Sequence, residues 1–386
     1  NKASSTVPVW AKTSSSTEQQ VEGGGEDGEE IVLTKKRQRN EDLDAALAST
    51  LPVLDSKHQR TSNVKPTILS VFPLPRDMAR VIRWHPNSQL CVVAGTNNLY
   101  VFHSSGKYVE QLSKVHIQGD RVEHMQLTPS GDEAIVVSHE SYVPTLVHLA
   151  TEKQTPLSFL DTRENFAYRH DYRNDTHGRQ YNFIRSLCVR PNDRVSRWVG
   201  VAHGNCLILG SVASGSVVQK IHTSDPIVDA AFTASNEVTI AVHDRLLVYD
   251  VRRTAKHVST LIDEGSIGVT AMAFSNTHTA IASKSGVVNL YTKGSTGSAA
   301  PVKTVKNLTT AVSTLTLGEG RQGPVLVAAT SEQKNGVRLV KLPEGVVVPS
   351  FPAVSARHGF FHCADIAKGA PVLSLGERAK VTNYVI

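Results

Sequence analysis

Short apolar runs return along most of this chain at a step of about forty-three residues. The residues closing each run before a turn are Trp84, Leu127, Val189, Phe232, Phe274, Leu317 and Ile366, at intervals of 43, 62, 43, 42, 43 and 49. A second apolar run follows each anchor: Leu90–Ala94, Ala134–Val137, Trp198–Ala202, Val238–Val242, Thr279–Ala282, Val325–Ala329 and Val372–Leu375. A third comes after it, from Leu99–Phe102 in the first unit to Val381–Ile386 in the last. The runs are short, rich in Val, Ile and Leu, and separated by turn residues such as Pro129-Ser130-Gly131-Asp132 and Lys334-Asn335-Gly336. Such runs favour strands buried between sheets over helices. Repeats of roughly 40–45 residues made of short strands are the mark of a WD40-like β-propeller, and seven anchors predict seven blades.

The last residue, Ile386, falls inside the third strand of the seventh unit. A closed ring therefore needs one outer strand from elsewhere, and Thr67–Phe72 has the character to supply it. Closure by this N-terminal strand removes the unpaired edges of an open array. The expected fold is all-β: a seven-bladed propeller over residues 66–386, preceded by an extended, largely disordered tail over residues 1–65. The tail holds Ser14–Ser16, Gly23–Gly25, an acidic cluster (Glu26, Asp27, Glu29, Glu30) and a basic one (Lys35, Lys36, Arg37, Arg39). That composition cannot bury enough apolar surface to fold alone.

Charge separates the two parts. The chain has 41 Lys/Arg and 35 Asp/Glu; the tail takes nine and ten of these, leaving 32 against 25, or +7, for the propeller. A mildly basic body favours an anionic partner, nucleic acid among them. Four cysteines (Cys91, Cys188, Cys206, Cys363) stand at wide, irregular spacing, the pattern of a reduced compartment without a disulfide framework or zinc motif. No signal peptide is expected, and no apolar run approaches the ~18–20 residues of a membrane span.

Catalytic chemistry finds little footing. Gly23-x-Gly25-x-x-Gly28 and Gly318-x-Gly320-x-x-Gly323 match the dinucleotide fingerprint by letter, but the first lies in the tail and the second in a strand-to-strand turn. The fingerprint needs a strand before it and a helix after it. His358 and His362, followed by Cys363, invite a metal reading, yet residues four apart on a strand lie ~13 Å from one another. A satisfied strand histidine is the simpler expectation. No cofactor, catalytic residue, metal site or small-molecule substrate is expected.

The 62-residue interval carries about twenty extra residues, 162–183, that interleave arginines with aromatics. Arg163, Tyr168, Arg169, Tyr172, Arg173 and Arg179 could contact RNA through phosphate pairing and base stacking. The same residue types serve protein hot spots, and a loop folded onto its own propeller is a third option. In the tail, Pro8, Val9 and Trp10 form a candidate docking element, and Lys35, Lys36, Arg37 and Arg39 a run of the nuclear-import type.

Longer strings carry a resemblance. Asp263-Glu264-Gly265-Ser266, Ser285-Gly286-Val287-Val288-Asn289-Leu290-Tyr291, Asn307-Leu308-Thr309-Thr310-Ala311-Val312-Ser313-Thr314-Leu315, Val337-Arg338-Leu339-Val340-Lys341-Leu342-Pro343 and Ser350-Phe351-Pro352 occur in this order. Together with Val7-Pro8-Val9-Trp10-Ala11 they resemble the U3 small nucleolar RNA-associated protein 18 family, a propeller subunit of the small-subunit processome. Lys341 and Glu344 stand where that family has His and Ser, and no WD dipeptide is present. The resemblance implies a nucleolar, non-catalytic assembly factor in early pre-18S rRNA processing. Implied partners are other propeller and helical-repeat subunits, U3 RNA or pre-rRNA, and an exosome-linked RNA helicase reached through the tail. Leu51-Pro52-Val53-Leu54-Asp55 departs from the family's helicase-docking motif by having Pro where Phe belongs. The alternative is a generic WD40 adaptor, for ubiquitin ligation or trafficking, with no RNA particle.

Overall fold

Each apolar run closes an antiparallel hairpin with the next, because alternate residues must leave water on both faces of a sheet packed between two others. The computed structural model describes residues 65–386 apart from 75, 76, 120, 140, 166–182, 264, 350 and 353–357. Of the two units into which the chain divides, Asn1–Asn63 and Val64–Ile386, the described residues fall in the second.

They form seven four-stranded antiparallel sheets. The inner strands are Val81–Trp84, Val122–Leu127, Ile184–Val189, Ile227–Ala234, Val269–Phe274, Thr314–Gly320 and Cys363–Ile366, and every anchor of the sequence pattern lies in one of them. Each inner strand touches those of both neighbours, and the seventh touches the first, so the ring is closed. We number the blades 1 to 7 in that order. Seven buried apolar clusters fill the ring, one at each blade-to-blade interface. Fully burying a Val, Leu, Ile or Phe side chain stabilises by about 1.5–3 kcal/mol, so each interface is a small core in its own right.

Closure follows the sequence expectation. Thr67–Pro73 pairs antiparallel with Lys380–Val385, setting Thr67 opposite Val385 and Phe72 opposite Val381. A register shift between Ile68 and Ser70 turns Ile68 outward and keeps Phe72 inward, against the Phe102 ring at 4.5 Å. The other outer strands (Tyr108–His116, Gln154–Pro156, Ser216–His222, Ser259–Ile262, Lys303–Val305, Val346–Val347) form the fourth member of blades 1 to 6. They leave little apolar trace because most of their residues face solvent on one side.

Two details differ from expectation. His358 lies outside the strands, in the connection leading to Cys363–Ile366, with its two ring nitrogens engaged by Glu377 and Tyr384. The insertion between blades 2 and 3 begins with a single helical turn, Thr162–Asn165, rather than in a loop. At Gly286 the backbone adopts φ +81°, and a Cβ there would sit 2.5 Å from the carbonyl oxygen of Leu308. The family-like string at 285–291 therefore needs glycine at that turn.

Candidate functional site

The ring places the inner strands around a central channel, and polar side chains on these strands bond across neighbouring blades. Arg83 of blade 1 donates from Nε to Gln126 Oε1 of blade 2 at 3.1 Å, and Gln126 Nε2 donates to the Leu187 carbonyl of blade 3 at 3.3 Å. Ser186 Oγ donates to Asp229 Oδ1 of blade 4 at 2.8 Å, while Asp229 Oδ2 accepts the Met272 N–H of blade 5 at 3.4 Å. Between blades 7 and 1, Asp365 Oδ2 accepts the Trp84 N–H at 2.8 Å. Burial pushes the carboxyl groups of both Asp229 and Asp365 above the ordinary range, opposed mainly by the Ser186 hydrogen bond at Asp229 and by the Arg83 charge at Asp365. These groups knit neighbouring blades together.

One mouth of the channel opens into a cavity of about 350 Å³ lined by Arg80, Val122, Glu123, His124, Ser331 and His362. Glu123 is the extra residue of a β-bulge, a device that re-aims a side chain away from the sheet. It accepts from His139 Nδ1 at 2.6 Å and lies 3.6 Å from Arg121. Burial lowers the imidazoles of His124 and His362 below their usual value, and burial with the nearby Arg121 charge lowers the Arg80 guanidinium. The lining is polar, with the charges of Arg80 and Glu123 in balance.

The base of the 162–183 insertion stands beside this mouth. Arg163, its one described candidate contact residue, donates to Asp161 through Nε (3.1 Å) and Nη2 (2.7 Å). Its guanidinium also covers the Tyr142 ring at 5.1 Å. The Asp161 hydrogen bonds hold the Arg163 guanidinium above its usual value. Phe183, at the other end, packs on Tyr142 and His139. Tyr168, Arg169, Tyr172, Arg173 and Arg179 lie outside the described residues, as do Pro8, Val9, Trp10, Lys35, Lys36, Arg37 and Arg39.

The histidine pair does not converge on one point. His358 is buried, with Nδ1 against Glu377 Oε1 at 2.7 Å and Nε2 against the Tyr384 hydroxyl, whereas His362 lines the cavity. Burial alone would raise the Glu377 carboxyl, but His358 and the Gly359 N–H hold it below the ordinary range. Burial pushes the Tyr384 hydroxyl up to about 12. Among the described residues no group of three or more His, Cys, Asp or Glu could hold a metal ion. The four cysteines are free and buried; burial raises all four thiols, Cys206 to about 11 and Cys363 to about 12. Gly318, Gly320 and Gly323 sit in the hairpin between two strands of blade 6, with no helix following.

A repeated clasp emerges only in three dimensions. Asp263, in the connection entering blade 5, accepts through Oδ1 from Asn289 Nδ2 at 2.7 Å and Tyr291 OH at 2.6 Å. Asp77, entering blade 1, accepts through Oδ2 from Asn98 Nδ2 at 3.1 Å and Tyr100 OH at 2.9 Å. It also takes the N–H groups of Met78 and Thr96 on Oδ1. Two of the family-like strings thus meet at one buried carboxylate. The signal was present in the sequence as Asn-Leu-Tyr at both 98–100 and 289–291, each preceded by an aspartate in the entering connection.

No protein-family model matches the chain. Among curated proteins, it is 24% identical over 313 residues to U3 small nucleolar RNA-associated protein 18 homolog of Homo sapiens, covering 78% of this chain and 52% of that protein. To the homolog of Arabidopsis thaliana it is 23% identical over 313 residues, covering 78% and 53%. To U3 small nucleolar RNA-associated protein 18 of Saccharomyces cerevisiae it is 21% identical over 345 residues, covering 78% and 56%. The chain spans about half the length of these relatives. The resemblance read from the sequence strings is borne out by five curated proteins so named, at 21–24% identity.

Proposed function

We propose that this relative of the U3 small nucleolar RNA-associated protein 18 family is a non-catalytic propeller scaffold of a U3-containing pre-ribosomal particle, acting in early pre-18S rRNA processing in the nucleolus. The observation that carries the reading is similarity across 78% of the chain to proteins named for association with that RNA. The site chemistry is consistent with it: side chains on the inner strands bind one another across blades, and the cysteines are buried.

In this reading residues 66–386 are the rigid hub and residues 1–65 an arm that orders on contact, through Pro8, Val9 and Trp10 among others. Coupled ordering gives large contact areas of modest affinity, which suits stepwise assembly. Lys35, Lys36, Arg37 and Arg39 serve import, and the arm is the route to a helicase. Other propeller and helical-repeat subunits would occupy the blade faces.

Affinity purification of the tagged full chain from nuclear extract, with quantification of U3 RNA, tests this directly. Strong enrichment over an unrelated tagged propeller is expected. Recovery of ubiquitin-ligase or trafficking components without U3 RNA would replace the reading with that of a WD40 adaptor.

A further inference from the structure

In a propeller the turn after each inner strand and the connection between third and outer strands share one end of the ring, because successive strands alternate in direction. In blades 3 and 4 that end is dense in cations. Residues 190–197 and 250–257 together hold six Lys/Arg (Arg190, Arg194, Arg197, Arg252, Arg253, Lys256) against two acids, Asp193 and Asp250.

Contacts fuse the two segments into one surface. Arg190 Nη2 donates to Asn236 Oδ1 of the neighbouring turn at 2.7 Å, Arg190 Nε donates to the Ser235 carbonyl, and its guanidinium covers the Trp198 ring at 4.8 Å. The Val251 N–H donates to the Asn236 carbonyl at 2.9 Å, and Gln219 of blade 3 donates to Thr254.

Both acids are already engaged. Asp193 accepts the Ser196 N–H at 2.8 Å and lies 3.6 Å from Arg190. Asp250 is gripped at both oxygens by Arg252, whose hydrogen bonds drop that carboxyl to about 2. Glu237, exposed opposite Asp250, is the nearest further acid by strand register. Arg197 is paired with Glu133 at 2.6 Å. Arg194, Arg253 and Lys256 are exposed, and none of the three has an ion pair among the described residues. Beside them stand the exposed His257 ring and two valines that are 84% (Val195) and 70% (Val258) exposed.

We infer that this end of blades 3 and 4 binds a single-stranded RNA segment, with Arg194, Arg253 and Lys256 on successive phosphates and the His257 ring and the valines beneath unpaired bases. The proposal rests on the U3-particle reading for its choice of RNA. The chemistry supports that choice, since guanidinium and ammonium groups on an open surface suit evenly spaced phosphates, and imidazole and apolar faces suit stacked bases.

The test is fluorescence anisotropy of the purified full chain with a labelled twenty-nucleotide single-stranded RNA, titrated at several salt concentrations. The variant Arg194→Glu/Arg253→Glu/Lys256→Glu is expected to bind at least about tenfold more weakly, with a log K against log salt slope shallower by about 2, at ~0.7 per lost phosphate contact. A control of equal charge change at the opposite end, Lys284→Glu/Lys334→Glu/Arg338→Glu, should stay within about twofold of the parent. Circular dichroism and the urea midpoint establish that both variants fold. Equal affinity of parent and patch variant, equal losses in the two variants, or no RNA binding by the parent would each overturn the proposal. None of these outcomes touches U3 co-purification, which can proceed through protein partners, so the two failures are distinguishable.

Discussion

A buried hydrogen-bond chain crosses blade 7 from blade 1 to the N-terminal strand, and cutting it in the middle tests ring closure. Trp84 Nε1 donates to Ser374 Oγ at 3.0 Å, Ser374 Oγ to Asn383 Oδ1 at 2.6 Å, and Asn383 Nδ2 to Ser70 Oγ at 3.1 Å. Asn383 and Ser374 are fully buried, and Trp84 and Ser70 nearly so. Asn383→Ala removes two hydrogen bonds, each worth about 1 kcal/mol net, and leaves buried hydroxyls without their partner, adding about 1–2 kcal/mol more. The expected loss is therefore about 3–4 kcal/mol, a large share of the 5–15 kcal/mol typical of a folded domain. Ser70→Ala should cost about 1 kcal/mol, and the double variant should reveal a coupling of about 1 kcal/mol, because the two residues share one bond. Urea unfolding followed by tryptophan fluorescence measures all four corners of the cycle. A loss below about 1 kcal/mol for Asn383→Ala, or simple additivity with Ser70→Ala, would refute the claim that the N-terminal strand is fastened into blade 7 through this chain.

The Asp263 clasp should respond in graded fashion: Tyr291→Phe removes one hydrogen bond to a carboxylate, costing about 1.5–3 kcal/mol, and Asp263→Ala should cost more because two buried donors lose their acceptor. Thermal or urea unfolding of both variants checks the order, and a neutral Asp263→Ala would show the clasp to be incidental. Stability should fall as pH drops through about 6.5, since burial depresses the imidazoles of His124, His203 and His362 and the unfolded chain then takes up protons the folded one refuses. Glu377, held below its ordinary value, adds a further loss below about pH 4.5, whereas the raised carboxyl groups of Asp229 and Asp365 act in the opposite sense as they protonate. The urea midpoint between pH 8 and 4 reads the balance, and a flat profile from 7.5 to 5.5 would contradict the histidine part. Finally, a thiol-specific disulfide reagent should label none of the four cysteines in the native protein and all of them in denaturant; rapid native labelling of Cys206, the thiol raised least, would be the telling failure.

The sequence by itself determined the blade count, the inner strands and the closing strand. Those features are written in apolar side chains whose burial between sheets is obligatory, so the interval from Trp84 to Ile366 and the character of Thr67–Phe72 were enough. The outer strands escaped notice because exposed residues such as Tyr108 and Leu112 meet no such demand. What a side chain touches was decided by tertiary structure alone. Arg163 reads in sequence as one of several interleaved arginines, and only the fold sets its guanidinium against Asp161 and over the Tyr142 ring. His358 and His362 sit four residues apart, yet one is locked between Glu377 and Tyr384 while the other faces a cavity. Arg194 and Arg253 are 59 residues apart in the chain, and only alternation of strand direction in adjacent blades brings their turns to one end. Periodicity encodes which residues must leave water; partners across blades depend on register and ring closure, to which distant segments contribute jointly.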